Sequence, residues 1–409
     1  MAFRTFITPR TIYYGPGALQ SLTGIGGQRA LIVTDPGVRA QGLVAKVEQI
    51  CASGNIKTAV FDKVEPDPSK ETSWAVFALA EEFKPDLIIG LGGGSSIDAG
   101  KTGWVLYEHP DLAKLAFMDF LREVGRRELR KKARFVAIST TSGTGSEVTS
   151  AAVVTDRSVN PPYKAGFGSR HLVPDVAIAD PELAASMPPA VTANSGYDAL
   201  VHATECYALS QPSDMIDALA IWSARTIFDW LPKAYTQGND MQARDKMHLA
   251  ALQAGIAFSN GRLGIVHGMA HVIGATFGIP HGRANAFMLC PCFAFLYPAY
   301  KARLISLAGL LGISGTDENA MINNLLARLD DLKKKVGIQL AIKDSGLDKK
   351  RFDEMLEPIS VDYFNQVNRS QINSRMSVEE RRKAGVPASL DDVRGLFLHA
   401  WNGTRAEIK

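Results

Sequence analysis

The chain has 409 residues, of which 46% are hydrophobic and 21% charged, and its formal net charge is +3. Such a composition fits an ordinary soluble globular protein with a full core and room for two domains. So small a charge over this length excludes a strong electrostatic pull toward nucleic acid or an anionic membrane surface.

The opening stretch MAFRTFITPRTIYYGPG places Arg4, Pro9 and Arg10 where a signal peptide needs an unbroken apolar core. Cys51, Cys206, Cys290 and Cys292 show no CxxC spacing and no disulfide framework, which suits a reducing compartment and predicts a cytoplasmic location. From about residue 29 to 180, short apolar runs alternate with amphipathic stretches. RALIVTD, TAVFDKV, DLIIGLGGG and ARFVAIST read as strands covered on both faces. Between them, RAQGLVAKVEQICASG and KETSWAVFALAEEFKPD carry helical spacing and end near Gly54 and Pro85. The alternation predicts a parallel α/β layer. The basic run from Arg122 to Arg134 reads either as a solvated helix face or as an anion-binding patch.

Two glycine turns follow predicted strands. LGGGSSIDAGK, Leu91 to Lys101, lets the backbone approach a ligand at Gly93 and Gly94, and Ser95 then leads into a helix whose free amides favour a phosphate. It is neither the GxGxxG fingerprint nor a P-loop. STTSGTGSEVTS, Ser139 to Ser150, is dense in small hydroxyl donors. Two such loops at the carboxyl ends of strands predict a nucleotide site. Asp35 closes an early strand, where its carboxylate either accepts from a ribose diol and repels a 2′-phosphate, favouring NAD over NADP, or merely caps a turn.

Beyond residue 180 the strand signals fade, and long helical patterns follow to the C-terminus. The double proline Pro188-Pro189 marks the change, which predicts an α/β domain over 1–186 and an all-helical domain over 187–409. The stretch AFMLCPCFAFLYPAY is too short to span a bilayer. In the helical part, Asp198 and His202 share one helix face at a four-residue spacing, His267 and His271 repeat it, and His281 follows a Gly-Ile-Pro break. Any one of these histidines alone reads as a core residue with a satisfied hydrogen bond. Together, imidazoles and a carboxylate form a ligand set suited to iron(II), zinc or manganese rather than calcium or magnesium. Glu205, three residues after His202, either supports a ligand from behind or faces solvent.

GGGSSIDAGK, TTSGTGSEVT, DALVHATECY and GIVHGMAHVIGATFGIPHGRANA occur in this order, together with YYGPGAL and DPELAASMP. The set, covering most of residues 8 to 300, closely resembles the iron-containing, or group III, alcohol dehydrogenases. The resemblance implies a Rossmann-like parallel α/β domain followed by an all-α domain, a dehydroquinate synthase-like architecture with the active site in the cleft between the halves. It implies Asp198, His202, His267 and His281 as ligands of Fe(II), or of zinc or another divalent ion, and His271 as the residue beside the nicotinamide that relays a proton. NAD(P) contacts fall by the same resemblance on Asp35, Gly93, Gly94, Ser95, Thr140, Thr141, Thr149, Lys164 and Leu183. The implied substrate is a short alcohol or aldehyde, the implied assembly a homodimer or larger homo-oligomer. Two rivals stand beside it: a zinc-dependent polyol dehydrogenase of the same fold, and a non-catalytic nucleotide or metal sensor. The chain departs from the family's pattern at Pro66-Asp67-Pro68, where many members carry Pro-Asn-Pro, and in its longer polar stretch over 362–390. Arg262 and Arg283 adjoin the metal motifs and read either as structural residues or as partners of an anionic substrate group.

Overall fold

A computed structural model describes residues 4–369 and 373–408. Its strands are β1 (Thr11–Tyr14), β2 (Arg29–Val33), β3 (Lys57–Phe61), β4 (Leu87–Gly92), β5 (Arg134–Ser139), β6 (Ala151–Asp156), β7 (Tyr163–Gly168) and β8 (Val176–Ala179). Six of them form one sheet in the order β1-β8-β5-β4-β2-β3, every pair parallel. β6 and β7 form a separate antiparallel hairpin. β4 is buried along its whole length and β2 from Ala30 onward, which is why both read as unbroken apolar runs. The chain leaves β2 outward to β3 and then returns past β2 to β4, so the order reverses between β2 and β4. Loops at the carboxyl ends of those two strands therefore diverge and leave a crevice.

Five helices belong to this domain: α1 (Pro36–Ala40), α2 (Leu43–Ser53), α3 (Lys70–Phe83), α4 (Gly94–Glu108) and α5 (Phe117–Glu123). The segment from Arg39 to Gly54, expected as one helix, is broken at Gly42, whose φ of 77° lies in the left-handed region. The basic run is also corrected as a helix face, since α5 ends at Glu123 and the chain runs on irregularly into β5. Four of its five arginines are ion-paired, Arg122 with Asp119, Arg126 with Glu123, Arg127 with Asp111 and Arg130 with Asp175, and Arg134 donates to the carbonyls of Ile25 and Gly26.

After β8 the described chain is helical. α6 (Pro189–Leu209), α7 (Asp214–Thr236), α8 (Met241–Asn260), α9 (Ile265–Phe277), α10 (His281–Leu310), α11 (Glu318–Lys335), α12 (Lys349–Asn368), α13 (Val378–Lys383) and α14 (Leu390–Asn402) pack around one hydrophobic core. The polar stretch over 362–390 supplies the end of α12 and all of α13. No helix among the described residues is long and apolar enough to cross a membrane.

The two parts meet at the second glycine turn. Gly145 has a φ of 65°, and a side chain there would lie 2.5 Å from the Cα of Gly255 on α8. Ser142 Oγ lies 3.0 Å from His248 Nδ1, and Ser150 N donates to Ser259 Oγ at 3.0 Å, both partners again on α8. From below, the turn is held by Lys101 of α4. Its fully buried Nζ donates to the carbonyls of Ser146, Thr149 and Ala151 at 2.7, 2.7 and 2.9 Å. Burial draws this ammonium down to about 8, opposed by the nearby Asp98 and Glu147 carboxylates. Replacing Lys101 with Met strands three buried carbonyls and two buried acids. Chemical denaturation of K101M should show a stability loss of about 3 kcal/mol or more; a loss below about 1 kcal/mol would mean that the strut is dispensable.

Candidate active site

Three helices deliver the ligand set. Asp198 and His202 lie one turn apart on α6, and His267 and His271 one turn apart on α9. α9 stops at Gly278, which is left-handed at a φ of 70°, and Pro280 precedes the first turn of α10. His281 thus opens α10 and folds back toward α9. The next residue, Gly282, lies flat against α6: a Cβ at this position would overlap the Asn194 carbonyl oxygen and lie 3.1 Å from Asp198 Cβ.

Asp198, His267 and His281 each offer a donor atom, all within 4.8 Å of one another. Asp198 Oδ1 is 3.8 Å from His267 Nε2 and 3.7 Å from His281 Nε2. His202 Nε2 lies 4.0 Å from Asp198 Oδ2, with its ring stacked on His267 at 4.7 Å between centroids. Tetrahedral bonds of about 2.0–2.2 Å set donor atoms about 3.3–3.6 Å apart, so Asp198, His267 and His281 would close in by up to about 1 Å around one transition ion, with His202 beside that group of three. His267 Nε2 is buried without a hydrogen-bond partner and faces the Asp198 carboxylate, an arrangement that a cation relieves. Burial outweighs the Asp198 charge and draws His202 down to about 4. It also drives His271 and His281 well below the usual imidazole range, with the Lys164 cation as the next cause. These rings are therefore neutral at pH 7, the form that coordinates.

Two further residues complete the cluster. Glu205 is fully buried; its Oε2 is 2.6 Å from His267 Nδ1 and its Oε1 accepts from Val266 N at 2.8 Å. A carboxylate there holds the proton on Nδ1 and turns the Nε2 lone pair toward Asp198. Of the two readings open in the sequence, support from behind a ligand is the one that the geometry favours. Asn285, one turn after His281, donates from Nδ2 to Asp198 Oδ1 at 2.7 Å. In the sequence its one signal is the four-residue spacing from His281. Phe258, stacked on His202 at 4.3 Å, closes an apolar wall and carries no such signal.

The crevice at the strand reversal is a cleft of about 560 Å³. Asp35, Gly93, Gly94, Ser95, Thr140 and Thr141 line it. Asp35 caps α1 through Val38 N and accepts from Ser96 Oγ at 3.1 Å. Thr149, Lys164 and Leu183 stand outside that lining. Thr149 Oγ1 is 3.2 Å from Lys101 Nζ, Leu183 lies in the core beneath the sheet, and Lys164 pairs with Asp67 at 2.6 Å. The two arginines beside the metal motifs have structural partners. Arg262 donates to Leu209 O and Tyr300 Oη, and Arg283 donates to Asn194 Oδ1 at 3.4 Å.

A nucleotide-type crevice beside a cluster of carboxylate and imidazoles is the pairing found in metal-dependent dehydrogenases. Family models described as "Iron-containing alcohol dehydrogenase" and "Fe-containing alcohol dehydrogenase family, C-terminal" match residues 9–181 and 192–379. The chain belongs to the iron-containing alcohol dehydrogenase family. It is 39% identical to an NADPH-dependent butanol dehydrogenase of Clostridium saccharobutylicum, over 87% of this chain and 90% of that one. It is 36% identical to the bifunctional aldehyde-alcohol dehydrogenase of Escherichia coli K12, matching 87% of this chain but 43% of that one. A solved iron-containing alcohol dehydrogenase from Thermococcus thioreducens is similar at a TM-score of 0.81 and 29% identity, over 98% of this chain and 100% of that one.

Replacing Glu205 with Ala removes the group that orients His267. Chelator competition should show metal affinity reduced about 10- to 100-fold, with Gln at the same position recovering part of the loss. An unchanged affinity would mean that packing alone orients the ring.

Proposed function

We propose that the protein catalyses hydride transfer between NAD(H) and a short alcohol or aldehyde, using iron(II) held by Asp198, His202, His267 and His281. The observation that best supports this reading is the buried Asp198 carboxylate with three imidazoles around it, beside the crevice at the strand reversal. We also assign residues 1–186 to a nucleotide domain and 187–409 to a metal domain, a division supported by the gap between the two matching family models.

The residue roles follow from chemistry and position. Gly93 and Gly94 open α4, so the pyrophosphate takes up its free amides without obstruction from side chains. Thr140 and Thr141 offer hydroxyls from the opposite wall, on the turn that α8 clamps. By family resemblance Thr149, Lys164 and Leu183 continue the cofactor contacts toward the nicotinamide. Asp198, His202, His267 and His281 would hold a divalent ion, which would supply Lewis acidity to the substrate oxygen. His271, whose ring lies 5.0 Å from that of His281, is neutral and close enough to pass a proton between solvent and that oxygen. Four free and buried cysteines support a reducing, cytoplasmic setting.

Nucleotide choice rests on Asp35, because the butanol dehydrogenase relative is NADPH-dependent. The carboxylate at the end of β2 matches a ribose diol and opposes a 2′-phosphate.

Two measurements test the reading. Metal-stripped protein should oxidise NADH with butanal at a rate lower by about a hundredfold or more, and iron(II) should restore it better than zinc; full activity without metal would overturn the proposal. Asp35→Ser should raise the NADPH to NADH ratio of kcat/KM by about tenfold. A ratio that stays put would remove Asp35 from the nucleotide site.

A further inference from the structure

Asp67 stands at the edge of the nucleotide crevice, between Pro66, which lines it, and the buried Pro68. Its backbone is left-handed at a φ of 53° and held on both sides. Asp67 N donates to Ser95 Oγ at 3.2 Å, and Arg157 donates to the carbonyls of Pro66 and Asp67 at 3.2 and 2.9 Å. The side chain is thereby aimed at one partner. Asp67 Oδ1 lies 2.6 Å from Lys164 Nζ, and the lysine side chain is only 6% exposed against 30% for the aspartate.

Lys164 belongs to β7, which packs against α9, the helix of His267 and His271. A buried ammonium so placed would attract any substrate with an acidic tail, unless a fixed anion cancels it. Asp67 is that anion. Arg262 and Arg283, the other cations beside the metal motifs, donate only to the neutral Leu209, Tyr300 and Asn194 and keep the same charge when Asp67 is changed.

We propose that Asp67 is a specificity-determining residue: by neutralising Lys164 it sets the site for uncharged short aldehydes and alcohols over those carrying a carboxylate or sulfonate. The inference rests on the function proposed above and narrows its substrate class. Asn in place of Asp67 tests it cleanly. Asn adopts the left-handed region as readily as Asp, and its side-chain carbonyl still accepts from Lys164. Geometry is kept and one negative charge is lost.

The probes are butanal and its acid-bearing counterpart, succinic semialdehyde, assayed on the iron(II)-loaded full chain at saturating nucleotide. Both aldehydes use the same bound nucleotide, so any effect on cofactor binding cancels in their ratio. Wild type should favour butanal. D67N should raise the ratio of kcat/KM for succinic semialdehyde over butanal on the order of tenfold, chiefly through KM for the acid, and the gain should shrink as salt is added. The double variant D67N/K164M should return the ratio to the wild-type value, because the unneutralised cation is then gone. A ratio that D67N moves by less than about twofold, or a wild type that already favours the acid, overturns the inference while leaving the dehydrogenase intact. If the iron-loaded wild type reduces neither aldehyde, the proposed function falls and this inference with it.

Discussion

The contact between Gly282 and the Asn194 carbonyl governs how closely α10 can approach α6, and the rest of the site depends on that approach. His281 is the residue before this glycine and Asp198 lies one turn beyond Asn194, so the backbone separation becomes the distance between imidazole and carboxylate. Helices usually pack about 8–10 Å apart because side chains intervene. Removing one Cβ brings donor atoms from two different helices within 3.7 Å of each other. The cluster is consequently a property of backbone spacing as much as of its ligands.

Burial then does the electrostatic work. An imidazole in contact with a carboxylate would ordinarily gain a proton. Here desolvation prevails at His202, and at His271 and His281 the Lys164 cation adds to it. Glu205 supplies direction, by occupying the back nitrogen of His267. The same economy holds at the second glycine turn, where one buried ammonium on Lys101 gathers three carbonyls.

Much of this was legible in the residues, and the limits have physical causes. β2, β4 and β5 declared themselves because strands covered on both faces are apolar throughout. β1 is mostly exposed, and β6 and β7 pair outside the main sheet, so neither repeats that pattern. Four-residue spacing revealed that Asp198 and His202, like His267 and His271, share a helix face. It could not say where Glu205 points, since α6 is buried nearly all round from Gly196 to Leu209 and has no solvent face to compare against. Phe258 on His202, and the tethering of Arg262 to Leu209 and Tyr300, join residues far apart in the chain. Local patterns carry no trace of such contacts.

The seam between Gly145 and Gly255 has a consequence for recombination. Neither position accepts a side chain while the other keeps its place, so the two halves of the chain meet there backbone to backbone. A hybrid that joined this α/β domain to the helices of a relative would preserve the cleft only if the incoming α8 also presented a bare backbone there. Modular exchange of substrate preference is thereby confined to donors sharing that one-atom tolerance.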